Sequence, residues 1–145
     1  PMVMPLLSDL GGRPLAGGFW NKWSFVVLVK DDCDELCRNN IYYLRQMRVA
    51  LGRDMDRVQN VLMLESSVSD DLARFLQQYP RLSVVEQADK ALFSAFDLPD
   101  IRPGEAPVLY LMDPAGNLMM TYSAVNDPAA ILSDMRRLLK LSQIG

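Results

Sequence analysis

Two short apolar runs, separated by one amphipathic segment of helical length, constrain the fold of this 145-residue chain most strongly. Residues 24–30 (SFVVLVK) and 58–64 (VQNVLML) have the length and β-branched composition of buried strands. Between them, residues 35–51 show the spacing of a helix. Because a helical crossover joins strands that run the same way, these residues predict a βαβ unit with parallel strands.

The segment between the two strands has both termini of a typical helix. Acidic residues come before and within its first turn, basic residues lie in its second half, and Gly52 follows its end. The predicted apolar face comprises Leu36, Ile41, Leu44, Met47 and Leu51. Three arginines are expected on a solvated face, and they are Arg38, Arg45 and Arg48.

The middle of the chain continues the alternation of helices and strands. We expect a helix that is capped by Ser69 and runs to about Tyr79, where Pro80 ends it. A short strand at residues 82–86 and a short helix at residues 89–96 follow.

The last third of the chain predicts a hairpin and a closing helix. Residues 108–112 and 117–122 are strand candidates, and the turn sequence Asp-Pro-Ala-Gly lies between them. Pro128 is expected near the first position of the closing helix. We therefore expect one α/β domain over residues 1–145, with an irregular lead-in at residues 1–18 and an antiparallel edge to its sheet.

The composition excludes several classes of function. The chain contains no histidine, which excludes a histidine general base and any zinc site that uses imidazole. With 18 acidic and 15 basic residues the net charge is −3, so binding to nucleic acid is not expected. The apolar runs are too short to span a bilayer, which needs about 20 residues.

Cys33 and Cys37 form a C-x3-C pair where the first strand gives way to the helix. Residues four apart on a helix lie about 6 Å from each other, so the two sulfurs can form a disulfide or hold one soft metal ion such as copper(I). A helix N-terminus favours thiolate. Four carboxylates oppose that effect, and they are Asp31, Asp32, Asp34 and Glu35. A redox pair, a metal clamp and two small core residues remain the alternatives.

The first strand, the C-x3-C pair, the long helix and the sequence YLMDPAG at residues 110–116 resemble thioredoxin-fold proteins of the Sco/SenC type, over residues 6–142. The resemblance implies an α/β thioredoxin-like fold, with a central mixed sheet and helices on both faces. It also implies a domain outside the cytoplasm, periplasmic in bacteria, that serves the copper site of cytochrome c oxidase. The expected membrane anchor would lie in a segment before Pro1, absent from this chain.

The same resemblance assigns roles to individual residues. Cys33 and Cys37 match the two cysteine ligands of copper, and Glu105 stands where the family has its histidine ligand. Pro107 matches the proline that faces the cysteines through a cis peptide bond in thiol-redox members of the superfamily.

The missing histidine favours thiol–disulfide exchange, so that the chain is interpreted as a thiol–disulfide oxidoreductase without a resident cofactor. Cys33 is expected to form the mixed disulfide with the partner, and Cys37 is expected to resolve it. The expected partners are protein thiols of the oxidase or its assembly factors. One alternative is a copper(I) carrier that uses the two cysteines without histidine. Another is a non-catalytic binding module whose disulfide is structural.

Overall fold

The computed structural model of the protein describes residues 22–29, 32–86, 109–115, 117–122 and 128–142. Within these residues, five strands form a single sheet, and three α-helices and one 3-10 helix accompany it. The predicted lead-in and the short helix predicted after the third strand lie outside the described residues. No helix in the described part of the chain is both long enough and apolar enough to cross a membrane.

The elements follow the predicted order. The strands are β1 (Trp23–Val29), β2 (Val58–Leu64), β3 (Ser83–Val85), β4 (Leu109–Met112) and β5 (Leu118–Tyr122). The helices are α1 (Glu35–Ala50), α2 (Asp70–Leu76) and α3 (Pro128–Leu141), and a 3-10 helix spans Gly52–Arg57.

The sheet is mixed, as predicted, and its strand order is β3-β2-β1-β4-β5. β1 and β3 both pair with β2 in parallel, since α1 and α2 carry the crossovers. β4 pairs antiparallel with β1 and with β5. The β4–β5 turn is held by Asp113, whose Oδ1 accepts the backbone N–H groups of Ala115 at 3.0 Å and Asn117 at 2.8 Å. These contacts confirm the hairpin.

Three helix ends follow local signals in the sequence or differ from them in a way the structure explains. α2 ends at Leu76, three residues before the predicted end at Tyr79, because Gln77 closes its last turn. Gly52 adopts a φ of 60°, the left-handed conformation that ends a helix, and α1 ends two residues before it. The Ser69 side chain accepts the N–H of Leu72 at 3.2 Å and caps α2, as predicted. The predicted face of α1 is wrong at one position, because Leu36 is 46 % exposed and Cys37 occupies the buried stripe.

One face of the sheet and all three helices share a core of buried apolar side chains. Its members from the sheet are Trp23, Phe25, Val27, Val29, Val58, Leu62, Leu64, Val84, Leu109 and Leu111. Its members from the helices are Cys37, Ile41, Leu44, Met47, Leu72, Ile131, Met135 and Leu139. Every second residue of β1 belongs to this core, and so does the buried stripe of α1 from Cys37 to Met47. The helix therefore packs against the sheet along most of its length. This packing holds the start of α1 beside the end of β1, where the cysteines lie.

Candidate functional site

The site is built on a disulfide between Cys33 and Cys37. Cys33 lies between β1 and α1, and Cys37 is the third residue of α1. Their Cα atoms are 5.1 Å apart, within the range that a disulfide accepts. Each cysteine is 8 % exposed, so the pair closes one end of the core while retaining some access to solvent.

Asp34 fixes the first turn of α1 around this disulfide. Its Oδ1 accepts the backbone N–H of Cys37 at 2.9 Å, which makes Asp34 the N-cap of the helix. The carboxylate therefore takes an N–H group that would otherwise stabilise a thiolate at the helix N-terminus. Asp34 stabilises the fold of the site and, through its charge, disfavours a negative charge on the sulfurs.

Arg38 joins the disulfide loop to α2. Its Nε donates to the carbonyl oxygen of Cys33 at 3.3 Å, and its guanidinium carbon lies 5.0 Å from the centre of the Phe75 ring. The prediction of a solvated arginine face is therefore wrong. Arg45 and Arg48 are also half-buried, and each donates to a backbone carbonyl outside α1.

A cavity of about 300 Å³ opens beside Cys33, where the carboxyl ends of β1 and β2 meet. Its walls are formed by Asp32, Cys33, Arg38, Leu64, Ser66, Ser67, Ser69, Asp71 and Leu72. Cys37 does not line this cavity, so a group bound in the cavity lies against Cys33 rather than Cys37. Hydroxyl groups and charged side chains make up most of the wall.

The described residues do not contain a cluster of three or more histidine, cysteine or acidic side chains that would hold a metal ion. The soft donors at the site are the two sulfurs, which are bonded to each other, so copper(I) would require the disulfide to be reduced first. Glu105 and Pro107, the other two residues singled out in the sequence, lie outside the described residues.

A disulfide at the junction of a central strand and a long helix, in a mixed sheet of this order, defines a thioredoxin-like protein. The chain belongs to the family described as the transmembrane-like, thioredoxin-like, C-terminal domain, whose family model matches residues 23–142. A comparison with functionally curated proteins finds no match.

Solved structures of Sco proteins share this fold. ScoI of Bradyrhizobium japonicum, solved with copper bound, is 18% identical with a TM-score of 0.67, and the alignment covers 93% of this chain and 98% of that one. BsSco, a Sco-family cytochrome c oxidase assembly protein with an identified disulfide switch, is 15% identical with a TM-score of 0.66, covering 97% and 95%.

A thioredoxin domain outside the Sco group is also similar. The thioredoxin domain of a thiol–disulfide oxidoreductase from Bacteroides vulgatus is 18% identical with a TM-score of 0.63, and 92% of this chain and 94% of that one are covered. At these identities the likeness establishes the thioredoxin-like fold.

Proposed function

We propose that this chain exchanges its Cys33–Cys37 disulfide with thiols of other proteins. The observation that carries the proposal is the unequal placement of the two sulfurs. Cys33 lines the cavity beside the site, whereas Cys37 lies within the first turn of α1 and does not. In thiol–disulfide exchange, a thiolate attacks one sulfur of the disulfide and the other sulfur leaves. We assign the attacked position to Cys33, because it borders the cavity, and the leaving position to Cys37.

In the first step, a partner thiolate attacks Sγ of Cys33, the S–S bond breaks, and Cys37 leaves as the thiolate. A second thiol of the partner then attacks the mixed disulfide and releases Cys33, so that the partner is oxidised to a disulfide and this chain gains two electrons and two protons. In the reverse direction, reduced Cys33 attacks a partner disulfide, and Cys37 resolves the adduct. Pro107 is proposed to face the pair and to present backbone groups to the partner.

We place this exchange outside the cytoplasm, in the assembly of the copper site of cytochrome c oxidase. The partners would be cysteines of the oxidase or of its assembly factors, and the full-length protein would be membrane-anchored. Two observations support this setting. BsSco, which shares the fold, is a cytochrome c oxidase assembly protein with a disulfide switch, and disulfides persist chiefly in oxidising compartments.

Trapping the mixed disulfide tests the proposal. Reduced Cys37→Ser protein is mixed with a peptide from the copper-binding segment of the oxidase in which one cysteine is replaced by serine and the other is held as a mixed disulfide with thionitrobenzoate. Adducts are separated on non-reducing gels and located by mass spectrometry. We expect thionitrobenzoate to leave and a stable adduct to form at Cys33, because neither the variant nor the peptide has a second thiol to resolve it. The matched Cys33→Ser variant is expected to react at least ~10-fold more slowly, since its remaining thiol lies away from the cavity. Equal rates for the two variants would contradict the assigned roles, and no adduct with either would contradict the exchange.

A copper(I) carrier is the second candidate. It is favoured by the copper-bound state of ScoI, which has the same fold, and by the two soft sulfur donors that reduction would release here. An anaerobic competition titration of the reduced protein against a copper(I) chelator tests it. Tight binding of one ion per chain, lost in Cys33→Ser, would support the carrier, whereas failure to compete would exclude it.

A further inference from the structure

A second cavity, of about 280 Å³, lies between α1, the 3-10 helix and the segment that leads from α2 into β3. Its inner wall is mostly apolar and includes Ile41, Met55, Tyr79 and Leu82. Asn60 also lines it, and the buried Oδ1 of Asn60 accepts no hydrogen bond from the described residues. Ile41 is 1 % exposed and Tyr79 is 8 % exposed, so the inner end belongs to the core of the domain. Water in such a cavity finds few hydrogen-bonding partners, and an apolar group would displace it favourably.

Three arginines also line this cavity, and they are Arg45, Arg48 and Arg81. No acidic side chain is among the described residues that form its walls. Three cations around one apolar cavity are notable in a chain whose net charge is −3. The cavity therefore combines an apolar interior with a positive border.

Two of these arginines are held in place by the fold. Arg45 donates from Nη1 to the carbonyl oxygen of Gln78 at 3.1 Å, and its guanidinium carbon lies 4.6 Å from the centre of the Tyr79 ring. Arg48 donates from Nε to the carbonyl oxygen of Val58 at 3.0 Å and pairs with the exposed Asp56 at 3.4 Å. Because these side chains are already ordered, a ligand that they bind loses little affinity to their immobilisation.

This cavity is separate from the disulfide. Ile41 and Val49, the first and last residues of α1 in its wall, lie four and twelve residues after Cys37. At a rise of about 1.5 Å per residue, the cavity extends from about 6 to 18 Å along α1 from Cys37. It shares no wall residue with the cavity beside Cys33. A ligand bound here does not need to take part in the exchange of thiols.

We propose that this cavity binds a small amphipathic carboxylate, with its apolar body against Ile41, Met55 and Leu82 and its carboxylate at the arginine border. The volume of about 280 Å³ lies just below the range of roughly 300–1,000 Å³ for small-molecule sites, so the ligand is smaller than a typical drug. Guanidinium groups recognise carboxylates through paired charge-assisted hydrogen bonds, and the apolar wall excludes competing water. The positive border selects a carboxylate over neutral or cationic molecules of similar shape.

Octanoate is the probe for the first test, with 1-octanol as its uncharged match and octylammonium as its cationic match. Each is titrated into the oxidised protein and followed by methyl resonances in two-dimensional NMR. We expect saturable shifts at Ile41, Val49, Met55 and Leu82 with octanoate, and affinity at least ~10-fold weaker for the other two. Equal affinity for octanoate and 1-octanol, or octanoate shifts located elsewhere, would overturn the proposal.

A pair of variants at Val49 tests the role of charge without disturbing the core. Val49 lines the cavity and is 60 % exposed, so a long polar side chain is accommodated at the border. Glutamate and lysine have similar helix propensities. We expect Val49→Glu to bind octanoate about 10-fold more weakly than Val49→Lys, with both variants exchanging their disulfide at the unaltered rate. Equal affinities in the two variants would refute the electrostatic basis of the site, whatever the outcome of the exchange experiments.

Discussion

Replacing Asp34 separates the two effects that this residue has on the site. Asp34→Asn keeps an oxygen that can cap α1 but removes the negative charge, whereas Asp34→Ala removes both. The side chain of Asp34 makes one capping hydrogen bond, to the N–H of Cys37 at 2.9 Å. We therefore expect the alanine variant to lose stability and the asparagine variant to change mainly the reactivity of the reduced cysteines.

The expected sizes follow from the geometry. Loss of an N-cap destabilises a protein by about 1 kcal/mol, so the free energy of unfolding of Asp34→Ala is expected to fall by that amount and that of Asp34→Asn by less than half of it. For a carboxylate and a thiolate about 6 Å apart, and an effective dielectric constant of about 40–80, Coulomb's law gives a repulsion of ~0.7–1.4 kcal/mol. Removing that charge raises the thiolate fraction at neutral pH by a factor of about 3–10.

Two measurements check these values. Urea unfolding of the oxidised proteins gives the stabilities, and the rate of alkylation of the reduced proteins by iodoacetamide gives the thiolate fraction, with mass spectrometry to identify the modified cysteine. We expect alkylation of Asp34→Asn to be about 3–10-fold faster than that of the parent protein. An unchanged rate would refute the opposition between this carboxylate and the thiolate. Equal loss of stability in both variants would refute the capping role.

Two further predictions concern the scaffold. Burial and the neighbouring Asp134 raise the pKa of Tyr122 above its ordinary value of 10.0. The protonated tyrosine therefore contributes fully to the free energy of unfolding below pH 10, and this contribution is lost as the pH rises further. In urea unfolding, the stability of the parent protein should fall more steeply above about pH 10 than that of Tyr122→Phe, and parallel curves would contradict this assignment. Leu44→Ala should lower the free energy of unfolding by about 2–5 kcal/mol, because Leu44 is 1 % exposed in the core. The matched Leu36→Ala, on the exposed side of α1, should cost less than about 1 kcal/mol, and similar losses in the two would contradict the described face of the helix.

Features that depend on neighbouring residues were predictable from the sequence. The bounds of β2 agree with the predicted run of residues 58–64. The cap at Ser69 and the turn at Asp113 were also predicted, because each rests on hydrogen bonds that span two to four residues. The parallel and antiparallel pairings followed from the kinds of connection between strands.

Features that depend on distant residues were not predictable in this way. Nothing in the local pattern specifies that β3 lies at the edge beside β2, or that the wall opposite Cys33 comes from the segment after β2. The contacts of Arg45 with the carbonyl group of Gln78 join residues 33 positions apart. For the same reason, the sequence predicted the cysteine pair as a candidate site but not which sulfur borders a cavity, and it did not indicate the second cavity.

The midpoint potential of the Cys33–Cys37 disulfide tests the central claim most directly. The protein is equilibrated in a series of dithiothreitol or glutathione buffers, and the free thiols are counted by alkylation and mass spectrometry. The proposed exchange predicts a midpoint above about −300 mV, within reach of other protein thiols. A midpoint below about −300 mV would mark the disulfide as structural and would contradict the proposed function.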